Sequence, residues 1–530
     1  MGRTAILTTA VVGAAAIGGY FYLANSFEAQ VQAQVDSFIS NPDFKVDVTY
    51  DSLKANLLSG TAMIEGIKVI NPERPDGEAT VKSVNLDIGF NPIAGSATVD
   101  GFRIEGLDFS EKDGSFSLES GEVRGADLPA VMAAFQEETL KDWPFTLVEL
   151  QGAKMEGTPA NNPSQKVMMS LNTARMATND DQTRVNEFLI DDFVLNAANN
   201  GAFTLGRYEV TGFGIGWIKD LIAMNRAPEG EEGSGDALEM AAAASLAKAS
   251  LNYMGIDSFK IEDFKFDMPM QGMAMSFKEI SIKDLVRPAD LVLGGTMKID
   301  AFELKGVQNT SPQAMQILTL ADLDTIRLDM EVRTQFDEAT DAVTSVTTLA
   351  LDKLIKLQSE GTIGGIDAAR MSEKLLAYQT EQMLEAFRAA DGEMPPQQDP
   401  FAQVLEALSV YTGYYDSVDL TLGLEDQGLI SRSLKVYSAL SGMPEDQLRE
   451  QFTMMAIAQT APALGEGAPE NLADVIQAYM APQSQPMRIS MRSLVPMTEE
   501  ALNGITPQTW QDVFGLKLET VASTGTPASN

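Results

Sequence analysis

Short apolar phrases recur along this chain, and each breaks the alternation that a half-buried strand needs. Ile64-Glu65-Gly66-Ile67-Lys68-Val69 reads apolar, acidic, small, apolar, any, apolar. The same form, with a small or acidic third residue, returns at Val99–Ile104, Ile190–Leu195, Ile256–Ile261, Ile261–Phe266 and Ile299–Leu304, and more loosely from Val81, Val210 and Ile282. Side chains alternate strictly along a strand, so one displaced residue sends every later side chain to the opposite face. A strand that slips yet keeps one face apolar must bend at the slip. A β-bulge does this by inserting a residue, and it sharpens the twist. Gly66, Gly101 and Gly212 suit the backbone angles of a bulge, and Asp192 and Asp263 are the next best residues for them. Repetition at roughly 17–21 residues predicts one long strand or short hairpin per period, assembled into a strongly twisted sheet. The competing reading is an ordinary meander whose loops contain Asp and Gly.

The rest of the pattern gives an α+β class. One N-terminal transmembrane helix is followed by a β-rich region of repeated, bulged antiparallel strands, forming a curled sheet or groove. Helices are interspersed, and the C-terminal part is mainly helical. Apolar spacing at Val131, Phe135 and Leu140 predicts a helix over 126–143. Further helices are expected at 237–253, 311–320 and 367–390, and a last short one at 506–514. Met487–Leu494 alternates as a late strand. The expected division is a membrane anchor at 1–26, a stalk at 27–44, a first β-rich domain at 45–225 and an acidic loop and helix at 226–255. A second β-rich domain follows at 256–425, then the C-terminal region at 426–530.

Thr4–Ala24 carries no charged residue. At 1.5 Å per residue it spans about 31 Å as a helix, enough for a bilayer core. Tyr20, Phe21 and Tyr22 sit at one end, where aromatic rings favour the interface. Arg3 precedes the segment, so its N-terminus is expected in the cytoplasm, with the bulk of the chain exported. A cleaved signal peptide is the alternative, with Ala24-Asn25-Ser26 as its cleavage site.

Composition narrows the chemistry. There are 75 acidic and 38 basic residues, a net charge of −37, which disfavours nucleic acid as a partner. The chain has neither Cys nor His. Ser-His-Asp and Cys-His nucleophiles are excluded, as are disulfides and the usual zinc sites. No cofactor and no catalytic or metal residues are expected, and the chain is read as non-enzymatic.

Three clusters carry two readings each. Met268-Pro269-Met270-Gln271-Gly272-Met273-Ala274-Met275 is either soft thioether ligation for Cu(I) or adaptable core packing. Asp180-Asp181 and Asp191-Asp192 are either carboxylate pairs or solvated turns. Arg432, Lys435, Arg449, Arg488 and Arg492 either meet lipid phosphates or pair with local acids.

Val46–Pro72 (VDVTYDSLKANLLSGTAMIEGIKVINP), together with the apolar segment and stalk before it, resembles the start of the YdgA-like family, bacterial inner-membrane-anchored proteins of unknown function. Tyr50–Val69 and Asn91–Leu107 (NPIAGSATVDGFRIEGL) also resemble AsmA-like proteins. The AsmA likeness implies a long curled β-groove with an apolar interior and phospholipid as cargo. The function expected is binding of lipid or another hydrophobic ligand in a periplasmic β-groove, for maintenance of the Gram-negative envelope. The partners are then the inner membrane and phospholipid, with no nucleic acid. The groove candidates are Ile67, Val69, Phe102, Ile104, Phe193, Leu195, Phe264, Phe266, Phe302 and Leu304. The alternative is an envelope scaffold that binds other proteins and no ligand.

Overall fold

The computed structural model describes residues 21–22, 32, 36, 47–56, 60–71, 74–91, 96–125, 145–158, 165–180, 183–197, 201–215, 234–390, 414–465, 468–498 and 510–521. The helix expected at 126–143, most of the stalk and the linker at 391–400 lie outside them. Two compact units form: Met1–Ile215 with Ile261–Phe266, and Gly216–Lys260 with Asp267–Asn530.

The first unit is an antiparallel meander. Its strands are β1 (Phe21–Tyr22), β2 (Asp47–Thr49), β3 (Ser52–Asn56), β4 (Thr61–Asn71), β5 (Arg74–Asn91), β6 (Ser96–Glu111), β7 (Gly114–Arg124), β8 (Leu147–Gly157), β9 (Val167–Thr178), β10 (Arg184–Asn196) and β11 (Ala202–Gly214). From β4 to β11 each strand pairs with the next, and β2 and β3 share the outer edge of β4. Of the expected membrane segment only Phe21 and Tyr22 are described, as the extended β1 beside Ala97 and Ser96. Among the described residues no helix is long and apolar enough to cross a membrane.

The slips have a specific backbone cause. Gly66, Gly106, Gly152 and Asp192 have φ of 66°, 60°, 65° and 50°. The ladder carries these four into one row across the sheet, on every second strand. Glu65 faces Ser83 and Ile67 faces Val81, which puts Gly66 beside Lys82. Val81 faces Leu107 and Ser83 faces Glu105, which puts Lys82 beside Gly106. The row continues through Glu119, Gly152, Asn172 and Asp192 to Gly206. A left-handed residue reverses the pleat, so residues three apart share a face. Ile64 and Ile67 flank Gly66, and Ile104 and Leu107 flank Gly106, in this way. Both pairs enter one core cluster, together with Val81 and Val84 of β5, which face them without a left-handed residue between them.

This corrects the bulge reading in part. The third residue of the phrase is left-handed at Gly66, Asp192, Gly212, Asp263, Asp284 and Ala301, but at Gly66, Gly106 and Asp192 the register does not shift. Inserted residues do occur elsewhere. Asp87 faces Gly101 while Ile88 faces Val99, leaving Asp100 extra. Asp300 and Ala301 together oppose Asp329. Gly101 itself is not left-handed; a Cβ there would stand 2.7 Å from the Val123 carbonyl oxygen.

The second unit contains helix α1 (Ser234–Leu251) and the strands β13 (Met273–Val286), β14 (Gly294–Lys305), β15 (Thr325–Asp337), β16 (Ala342–Leu351), β17 (Ile355–Gly364), β18 (Ser417–Asp426), β19 (Met487–Ser493) and β20 (Phe514–Thr520). The strand β12 (Ser258–Met268) is divided between the units, Ile261–Phe266 belonging to the first and the rest to the second. The strands β13 to β20 form a second antiparallel meander. Helices α2 (Pro312–Leu320) and α3 (Ala368–Ala390) follow the expected spans, and α4 (Leu429–Ser441), α5 (Glu445–Leu464) and α6 (Leu472–Met480) supply the helical C-terminal part. Of the helix expected at 506–514, residues 506–509 lie outside the described residues, Trp510–Val513 form α7, and Phe514 begins β20.

Packing in this unit follows composition. Ala242, Ala243 and Ala247 of α1 are buried, and α1 packs along α3; side chains this small let two helices approach closely. Leu472 and Val475 of α6 cover Leu518 of β20, with Met487 and Ile489 of β19 beside them.

Candidate ligand-binding face

The two ends of the first meander differ in how well their apolar side is covered. On β4–β7 the core residues Ile64, Val84, Leu86, Ile104 and Leu107 are 0–3% exposed. On β8–β11 the same side carries long apolar rows in which Ala153, Leu205 and Val210 are buried and most other side chains are only half covered. Val148 faces Met176, Met176 faces Phe188, and Phe188 faces Val210. Leu150 faces Ala174, Ala174 faces Ile190, and Ile190 faces Tyr208. Beyond the row of left-handed residues, Met155 faces Met169, Met169 faces Leu195, and Leu195 faces Phe203. Leu150 and Met155 are 37% and 41% exposed.

Aromatic rings brace this face. Phe193, Phe203 and Phe264 stand edge to face in series, with centroids 5.6 and 5.2 Å apart. Phe188 meets Tyr208 in the same way at 5.8 Å. Such pairs add about 0.5–1.5 kcal/mol beyond area burial and hold the rings across neighbouring strands.

The opposite side is ion-paired. Arg175 lies 3.3 Å from Glu187 and 3.8 Å from Glu149. Arg207 meets Glu209 at 2.8 Å. That hydrogen bond holds the Arg207 guanidinium above its ordinary pKa, and the fields of Asp191 and Glu262 act in the same sense. The side of β8–β11 opposite Leu150 and Met155 thus carries these ion pairs, together with the exposed Met168 and Val194.

The expected groove residues divide into two groups. Ile67, Val69 and Ile104 lie inside the closed core cluster, with Phe102 packed against it. A ligand there would have to displace side chains. Leu195 sits on a half-covered row, Phe193 is half-buried and faces the buried Leu205, and Phe264 and Phe266 are half-buried on β12. In the second unit Phe302 faces Leu328, and Leu304 faces Met275 and Ile326. Leu150, Met155, Met169 and Tyr208 join the face without having been expected. Leu150-Gln151-Gly152-Ala153 is a weaker copy of the repeated phrase, with Gln in place of the acid, and is its sequence signal.

Among the arginines of the C-terminal part, Arg432 lies 3.8 Å from the Asp322 carboxylate, the pairing with a local acid that is one of the two readings, and it also serves backbone carbonyls. Arg432 donates from Nη1 to the carbonyl oxygens of Ala321 and Asp322, the latter at 2.9 Å, and from Nε to that of Lys353 at 3.3 Å. Arg449 Nη1 donates to the Met480 carbonyl at 2.7 Å, at the end of α6. Both satisfy carbonyls at or just beyond helix C-termini, where cations are favoured. Arg488 and Arg492 are exposed on one side of β19, with Ser490 between them bonded to Thr421 at 3.1 Å. Arg488 faces Glu519 and Arg492 faces Asp419 across the ladder.

The acidic positions of the repeat are also engaged. Glu65 accepts from Ser52 at 2.8 Å and from Lys54 at 2.9 Å, and the bond from Lys54 leads in holding its carboxyl below the usual range. Asp192 supplies a left-handed backbone, and Asp181 lies outside the described residues. Among the described residues no group of three or more acidic side chains is placed to hold a metal ion.

A protein-family model described as "Uncharacterized protein" matches residues 348–520. That stretch runs from late β16 to β20 and includes α3 to α7. It lies outside the segment on which the YdgA-like and AsmA-like resemblances rest. No curated protein matches the chain.

Proposed function

We propose that this protein is a non-enzymatic carrier of hydrophobic cargo, holding the acyl part of a phospholipid or a similar molecule against the apolar side of β8–β11. The observation that carries the reading is the contrast between Leu150 and Met155, more than a third exposed, and the closed core of β4–β7. Each acyl methylene moved from water onto such a face gains about 0.8 kcal/mol. The apolar segment Thr4–Ala24 supports a bitopic arrangement in a bacterial inner membrane, with the bulk of the chain periplasmic. The likeness of Val46–Pro72 to YdgA-like proteins and of Asn91–Leu107 to AsmA-like proteins supports the same location and a cargo for envelope maintenance.

The test is native mass spectrometry of the full chain released from detergent micelles. Leu150→Asp and Met155→Asp place charge on the face at positions exposed enough to leave the fold intact. The expected result is phospholipid retained by the unaltered chain and lost from the double variant. A lipid-free unaltered chain, or equal retention by both, overturns the reading.

A further inference from the structure

A second feature, independent of the apolar face, is the methionine hairpin between β12 and β13. The chain lacks His and Cys, so its soft donor atoms are the thioethers of its 27 methionines. Four of them fall within eight residues. Met268 ends β12 and Met273 begins β13. The turn between them is closed by Gln271 N–H donating to the Met268 carbonyl at 3.0 Å and by Gly272 N–H donating to the Pro269 carbonyl at 3.2 Å. Met273 and Met275 are two apart on one strand and so share a side. Met270 stands at the tip, 78% exposed, where it adds nothing to a core.

The turn is also held from outside. The Asn309 side-chain amide donates to the carbonyls of Gln271 and Gly272 at 3.1 and 3.2 Å. Gly306 packs so closely that a Cβ would stand 1.9 Å from the Gly272 oxygen. The backbone that carries the methionines is therefore fixed, while each side chain keeps three rotatable bonds. Met268, Met273 and Met275 are half-buried and remain accessible. A fixed scaffold bearing adaptable soft donors suits an ion that wants two to four sulfur ligands and tolerates variable geometry.

We propose that Met268, Met270, Met273 and Met275 form a thioether site for a soft monovalent cation of the Cu(I) class. Thioethers are poor ligands for oxygen-seeking divalent cations.

The test titrates the full chain in detergent with Ag(I), a redox-inert soft probe, and with Cu(I) against a chromogenic chelator. The hairpin variant carries Met268→Leu, Met270→Leu, Met273→Leu and Met275→Leu, swaps of near-equal volume that cores tolerate. The control carries Met454→Leu and Met455→Leu, an exposed pair on α5. The expected result is one tightly held ion per chain, weakened at least about tenfold in the hairpin variant, unchanged in the control and not displaced by Mg(II). No binding by the unaltered chain, or equal binding by the hairpin variant and the control, overturns the proposal.

Discussion

Ala301 has a left-handed backbone, φ 52°, and its amide donates to the Asp329 carboxylate at 2.7 Å. Most of its counterparts in the repeated phrase are Gly or Asp, which adopt this conformation at lower cost. For other residues the left-handed region costs about 1–2 kcal/mol. Asp329 offsets part of this by fixing the amide across β14 and β15. Ala301→Gly should therefore raise the stability of the chain by up to about 1 kcal/mol. Asp329→Ala should lower it by about 0.5–1.5 kcal/mol. Urea unfolding of both variants checks this, and a destabilised Ala301→Gly would show that Ala301 is not strained.

Gly66 makes the converse case. Its φ is 66°, and a Cβ would stand 2.1 Å from Asp51 Oδ2. Gly66→Ala should cost about 1–2 kcal/mol from backbone strain, with a further loss from displacing Asp51. Adding Asp51→Ala should recover only that further loss. Gly121→Ala, whose Cβ would meet Leu118 at 3.3 Å without a left-handed backbone, should cost much less. Thermal unfolding of the three variants ranks them.

Acid should weaken the second unit through a small ionic group on β13 and β14. Glu279 is held below its ordinary pKa, first by the Ser281 hydroxyl at 2.6 Å and then by Lys298. Asp300 is held down chiefly by Lys298 at 2.9 Å. Depressed carboxylates contribute stability that is complete above their unfolded pKa values, and it is lost as pH falls through the folded ones. Lys298 is raised, chiefly by Asp300, so its contribution persists through neutral pH and fades only in strong alkali. The urea midpoint should fall between about pH 5 and about pH 3, and Lys298→Met should flatten that fall. Parallel curves for the two proteins would contradict the assignment.

Arg432 tests the difference between charge and geometry. Its fork reaches carbonyls at Asp322 and Lys353, which a lysine ammonium cannot serve together. Arg432→Lys should cost about 1.5–3 kcal/mol, read as a lowered unfolding midpoint. Arg492→Lys, on an exposed strand face, should stay within about 0.5 kcal/mol.

Much of this architecture was legible in the sequence, for a local reason. Gly66, Asp192 and Asp263 announce their left-handed backbone by residue type, and the apolar pairs around them reveal the face. The helices expected at 311–320 and 367–390 form at Pro312–Leu320 and Ala368–Ala390. Two features were hidden because they depend on pairing. The slip at Gly106 looks like the one at Asp100, yet only the second inserts a residue, which the partner strand β5 decides. That Arg432 also serves backbone carbonyls was hidden because they lie 110 and 79 positions away. The exposed side of β8–β11 was misjudged for a related cause. Ile67 and Phe193 occupy equal places in the phrase, and only their neighbours make one closed and the other half open.

The most direct measurement of the central claim is photo-crosslinking from two adjacent positions of the full chain in Gram-negative cells. A photoreactive benzoylphenylalanine at Leu150 lies on the apolar side, in the row with Ala174 and Ile190. At Gln151 it lies on the polar side, in the row with Thr173 and Asp191. The account predicts a phospholipid adduct from position 150 and none from position 151. No lipid adduct at 150, or equal adducts from both, would contradict it.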